Sequence, residues 1–198
     1  MSEWWTYRLS DFLMFSHRIY WRLVEHYNRD IWPAQIIAAA TGLALLWLAA
    51  RPRPAAGRIT AALLAAAWAW VGWAFAWQRY ATINWAASYL ALAFGLQATL
   101  LIFLGVLRPR ADGRAARAGA RNLGLALAAG GLLLYPLAGL PAGRPWSQAE
   151  VFGVMPEPTA LATLGLLLAG GQPFRGWLCI VPALSFMVGM ATLWLLSG

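Results

Sequence analysis

The chain has 198 residues, 61% of them hydrophobic and 11% charged. Ordinary soluble domains carry about 45–50% apolar and about 25% charged residues, so the composition excludes a soluble globule, a disordered tail and a fibrous protein. It points to the bilayer as solvent. The net charge is +8, from 15 basic residues, all arginine, against 7 acidic ones. Most arginines fall in short loops between apolar runs, where they set membrane orientation; a nucleic-acid partner is not expected.

Residues 1–32 form a distinct N-terminal segment. They contain no apolar core long enough for a cleavable signal. Ile19, Tyr20, Leu23, Val24, Tyr27 and Ile31 recur at helical spacing, with Arg18, Arg22, Glu25 and Arg29 on the other side. Ser16 suits an N-cap and Pro33 a stop. The pattern predicts an amphipathic helix, lying in the outer interface or capping the outer mouth of a bundle.

Residues 33–198 are the expected transmembrane bundle. Six apolar stretches, 33–50, 59–77, 86–107, 123–140, 159–171 and 178–196, contain no charged residue. Backbone groups in hydrocarbon must be satisfied internally, so these are predicted helices and the fold class is all-α. The runs do not alternate, which excludes an outer-membrane barrel. The fifth stretch has only 13 residues, about 20 Å of helix. It is either a sixth crossing or a re-entrant segment beside five.

If all six cross, Arg51, Arg53, Arg58, Arg108, Arg110, Arg114, Arg117, Arg121 and Arg175 share one side. The positive-inside rule places that side in the cytoplasm, so both termini are expected in the periplasm. Three spans on each side of the arginine loop also allow an inverted repeat, although the recurring Ala-Thr-Leu is weak support in an alanine-rich chain.

Candidate chemistry is sparse. No Asp, Glu, His, Lys or Arg lies within the six stretches, which argues against a carboxylate-driven proton pump. His17 and His26 fall on opposite helix faces, and Cys179 stands alone, so neither a metal site nor a cofactor is expected. No catalytic set is recognisable. Gln97 lies at the middle of the third stretch and needs an interhelical partner, or else lines a polar path. Thr163, Ser185 and Thr192 can bond back to their own helix carbonyls. In Pro156-Glu157-Pro158-Thr159, Thr159 suits a cap and Glu157 complements the helix dipole.

The richest constellation follows the second stretch: Trp68, Trp70, Trp73, Phe75, Trp77, then Gln78-Arg79-Tyr80-Ala81-Thr82-Ile83-Asn84-Trp85. An interfacial belt accounts for Trp77 and Trp85. Trp68 and Trp70 lie deeper, where an indole N–H needs an acceptor. Arg79 among aromatics can stack on them or hold an anionic headgroup. The candidate ligand-binding set is therefore Trp73, Trp77, Arg79, Tyr80, Asn84, Trp85 and Gln97.

Three stretches carry a family resemblance: Ser10-Asp-Phe-Leu-Met-Phe-Ser16, Trp77-Gln-Arg-Tyr-Ala-Thr-Ile-Asn-Trp85 and Pro158-Thr-Ala-Leu-Ala-Thr-Leu-Gly165. The chain resembles a family of small bacterial membrane proteins of unknown function. The resemblance implies a multi-span inner-membrane protein and supplies no activity. Two functions are expected: permease-like binding or passage of a small uncharged or aromatic-compatible molecule, or service as a non-catalytic accessory subunit of a membrane complex. Membrane lipid and a homo-oligomer or complex partner are the expected associations.

Overall fold

The computed structural model describes residues 15–51, 55–108, 116–170 and 175–197. Ser10 to Met14, Arg53, Arg110 and Arg114 therefore lie outside the described residues, as does Gly171. The described fold is all-helical, without strands. Helix α1 runs His17–Asp30, and Ser16 caps it by accepting from the Ile19 N–H at 3.4 Å. Pro33 follows, and α2, Ala34–Ala50, leaves at 88° to α1.

Helix α3, Ala56–Trp70, continues in wider turns to Trp77, where the Gln78 N–H donates to the Trp73 carbonyl five residues back at 3.1 Å. Helix α4, Ala87–Leu100, widens in the same way to Leu107. Helix α5, Ala118–Ala129, extends to Leu134 and gives way to a tight turn at Pro136. An irregular stretch leads to α6, Pro156–Gly170, and α7 follows over Arg175–Ser197.

The expected count of six spans is corrected. Four helical stretches, 56–82, 87–107, 118–142 and 176–196, are long and apolar enough to cross a bilayer, and the bent α1–α2 pair raises the count to five at most. Helix α6 has 15 residues, about 22 Å, which is short of a hydrocarbon core. It does not need span length, because its neighbours cover it: Ala160, Ala162, Thr163, Leu166 and Leu167 are all buried. Several long apolar helices fit a membrane protein. So does the outward surface, where Ile37, Leu92 and Trp194 are 69%, 67% and 71% exposed.

Helix α6 runs antiparallel to α5, since Gly131 faces Ala162 and Gly124 faces Ala169. Glycines permit the approach: a Cβ on Gly165 would lie 2.3 Å from the Ala128 nitrogen. Trp68 is fully buried and donates its indole N–H to the Thr163 hydroxyl at 3.0 Å, the acceptor its depth requires.

The two ends of the bundle differ. At one, Arg121 donates to the Ala50 carbonyl at 2.8 Å, joining the start of α5 to the end of α2. At the other, Phe15, Tyr20, Phe75, Tyr80, Val154 and Met155 form one apolar cluster, with Leu193 and Leu196 packed on it. Phe15 and Leu196 thus lie at the end opposite the Arg121–Ala50 contact. Helix α1 buries Tyr20, Trp21, Val24 and Tyr27 in and beside this cluster, so it caps the bundle.

Candidate functional site

The seven residues singled out from sequence do not converge on one cavity. Trp73, Trp77 and Trp85 face outward at 57%, 54% and 62% exposure, as an interfacial belt would. Tyr80 points inward, stacked on Phe75 with ring centroids 5.6 Å apart, and its hydroxyl accepts from Asn84 at 3.3 Å. Arg79 donates to the Ala74 carbonyl at 3.0 Å and to Asp30 at 3.3 Å, and its guanidinium lies 4.8 Å from the Tyr27 ring centre. It thereby ties the end of α3 to α1.

Gln97 is fully buried, and its amide donates to the Leu178 carbonyl at 2.9 Å. That geometry is interhelical bonding between α4 and α7. Its Oε1 has no protein partner. Gln97→Leu removes this unpaired acceptor while freeing one carbonyl, and the two effects oppose each other. The unfolding free energy in lipid nanodiscs should change by less than about 1.5 kcal/mol; a loss of several kcal/mol would mean that the amide holds more than this one bond.

The residues around the α1–α2 elbow assemble what sequence did not reveal. Asn28, Trp32, Gln35, Trp146, Ser147 and Val151 line a groove of about 420 Å³. The Asn28 amide donates to the carbonyls of Ser147 and Ala149 at 2.9 and 3.0 Å, and Gln35 donates to the Asn28 carbonyl at 2.6 Å. Those bonds use both Asn28 donors and one of the two on Gln35, while Asn28 Oδ1 and Gln35 Oε1 have no partner among the described residues. Trp32 and Trp146 flank the groove, 65% and 61% exposed. A mostly apolar concavity of this size with a few placed polar groups has the character of a small-molecule site.

A second feature lies deeper. Glu150 is 2% exposed and accepts from Arg144 at 3.0 Å, and the Arg144 guanidinium sits 3.9 Å from the Trp21 ring centre. Burial raises the Glu150 carboxyl above the ordinary carboxylate range, and Arg144 opposes that rise. Glu157, in the first turn of α6, is 5% exposed. Its carboxyl rests against Gly189, where a Cβ would lie 2.2 Å from Oε1, and its Oε2 has no protein partner. Burial, and then the nearby Glu150, pushes Glu157 up to about 8.

Sequence reading assigned Glu157 to the helix dipole, because its burial depends on a glycine 32 residues further along. Thr159 does contribute to the entry of α6: its hydroxyl accepts from the Gly153 N–H at 2.8 Å and donates to the Met155 carbonyl at 2.6 Å. Among the described residues no cluster of three histidine, cysteine or carboxylate side chains could hold a metal. His17 instead accepts from the Trp21 indole at 2.9 Å.

Residues 17–197 match a family of unknown function (DUF6064), and the match takes in all seven helices. The chain belongs to this family. No curated protein matches it, and no solved structure does. Two of the three stretches noted for resemblance, 77–85 and 158–165, fall within the matched residues; the first, 10–16, lies outside them.

Proposed function

We propose that this DUF6064 member is a multi-pass inner-membrane protein that binds a small uncharged or aromatic molecule in the elbow groove and passes it in permease-like fashion. The arginine-rich loops then face the cytoplasm and both termini the periplasm, by the positive-inside rule. One observation carries the reading: two exposed indoles, Trp32 and Trp146, flank a mostly apolar groove of about 420 Å³, with the buried, unpartnered oxygens of Asn28 and Gln35 behind its wall. Buried acceptors need donors. A planar apolar molecule supplies the stacking surface for the indoles, and an N–H or O–H group on it reaches those oxygens once the side-chain amides turn toward the groove.

Arg79 and Tyr80 enter this reading as supports. Arg79 holds Asp30, two residues from Asn28, so it fixes the α1 wall of the groove. The competing role, an accessory subunit, uses the same fold without a ligand. The two separate in a binding test with 5-fluoroindole, followed by fluorine NMR on the full chain in nanodiscs. Wild type should broaden the resonance beyond protein-free nanodiscs, and Trp146→Ala should reduce that excess at least fivefold. Equal broadening by wild type, variant and protein-free discs would remove the groove as a site.

A further inference from the structure

We propose that Glu157 is a proton-binding site, exchanging its proton through a water-sized cavity between α1, α4, α6 and α7 whose wall mixes hydroxyls with apolar side chains, independently of the elbow groove. The cavity measures about 30 Å³, and Tyr20, Tyr80, Glu157, Ser185 and Gly189 contribute to its wall. A water needs roughly 10–15 Å³ of such space and two to four polar partners. Among the described residues the Ser185 and Tyr20 hydroxyls find no hydrogen-bond partner, and the Tyr80 hydroxyl only accepts, from Asn84. Back-bonding of Ser185 to its own helix, as Thr163 and Thr192 do, is not seen. These hydroxyls are free to pass a proton to and from the carboxyl.

Among the described residues no cation is paired with Glu157. Facing it are Tyr20 from α1, Tyr80 after α3, Tyr135 at the end of α5, and Glu150. The neighbouring guanidinium, Arg144, is committed to Glu150. A buried carboxylate with no counter-charge is costly and takes up a proton instead. The N-terminus of α6 works the other way, because its dipole favours the anion. The two effects oppose each other at one carboxyl, which keeps it titratable rather than fixed in either form. Gly189 leaves the room for it: any side chain there would displace the group.

The step is a simple exchange. The Glu157 carboxylate accepts a proton from a cavity water, which is replenished from the outer solution, and returns it as the pH rises. When charged, the group draws water in against α7 at Gly189; when neutral, it packs.

The test is infrared difference spectroscopy of the full chain in nanodiscs between pH 5 and 9. A protonated-carboxyl band should disappear well above the ordinary carboxylate range, and should be missing in Glu157→Gln but present in Glu150→Gln. If Glu157→Gln fails to fold, Tyr20→Phe with Ser185→Ala keeps the carboxyl and strips two hydroxyls from the cavity wall. The band's midpoint should then rise by about one pH unit, because the hydroxyls that hold water against the charged form are lost. No such band in wild type, a band unchanged in Glu157→Gln, or a midpoint unmoved in the double variant would overturn the proposal. A band that sodium ions displace at constant pH would also overturn it, and would make the site one for a monovalent cation.

Discussion

Gly165→Leu should prevent the bundle from assembling, and even Gly165→Ala should lower the unfolding midpoint sharply. A Cβ at Gly165 would stand 2.3 Å from the Ala128 nitrogen, 2.6 Å from the Gly124 carbonyl oxygen and 2.9 Å from the Ala128 Cα. Gly124 meets the same situation from the other side, 2.5 Å from the Ala169 nitrogen. All of these are backbone atoms, so no rotamer change relieves the clash. The helices must separate, and separation opens the core around Leu166, Leu167 and Ala128. Overpacking costs about 1–3 kcal/mol where side chains can adjust, and more where they cannot.

Membrane helices associate through close packing of small residues rather than through the hydrophobic effect, so the loss is not recovered by burying leucine. The control is Gly119→Ala, where a Cβ meets nothing within 4 Å; there the midpoint should stay level or rise slightly, since alanine favours helix. Circular-dichroism melting of the three variants in identical nanodiscs decides the matter. A Gly165→Ala midpoint equal to that of Gly119→Ala would mean that α5 and α6 do not touch as described.

How much of this was legible in sequence depends on the range of the interaction. Local patterns read well. The Ser16 cap, the stop at Pro33 and the amphipathic face of α1 all follow from spacing, and α1 buries the face that holds Tyr20, Val24 and Tyr27. The deep Trp68 implied an acceptor, although nothing local identified Thr163, which is 95 residues away. Span counting overreached because hydropathy cannot distinguish lipid from protein as the apolar neighbour. Helix α6 is apolar since other helices surround it, and so it can be short. The groove was not legible, because it joins residues 28–35 to residues 146–151. Glu157 was missed for the same reason. Outward-facing Trp73, Trp77 and Trp85 stand out in sequence because tryptophan is conspicuous, whereas Asn28 and Gln35 are ordinary residues whose unpaired oxygens appear only in the folded chain.

Arg144→Met is expected to destabilise the protein more at pH 8 than at pH 5. Glu150 is almost fully buried, and among the described residues one carboxyl oxygen is bonded by Arg144 while the other has no partner. Removing one member of a buried pair leaves an uncompensated charge, which costs about 3–5 kcal/mol; Arg144 keeps partial access to solvent, so about 3 kcal/mol is the expected scale at pH 8. The direction with pH follows from the carboxyl. Burial already raises Glu150 above its unfolded value, and deleting the opposing guanidinium raises it further. A group raised on folding contributes stability that is present below its unfolded pKa and lost as pH climbs through the folded one. In the variant, lowering the pH therefore protonates Glu150 and relieves the penalty.

Arg144→Met with Glu150→Gln should recover most of the loss at pH 8, because no charge is then left unpaired. Recovery should stop short of wild type, since the double variant still lacks the guanidinium over Trp21, a contact worth about 0.5–2 kcal/mol. That remainder should be independent of pH and should appear as looser docking of α1, read as faster hydrogen exchange over residues 17–30. If the single variant loses the same stability at pH 5 and pH 8, the Arg144–Glu150 pair is not the electrostatic tie that holds the 144–150 loop beneath α1.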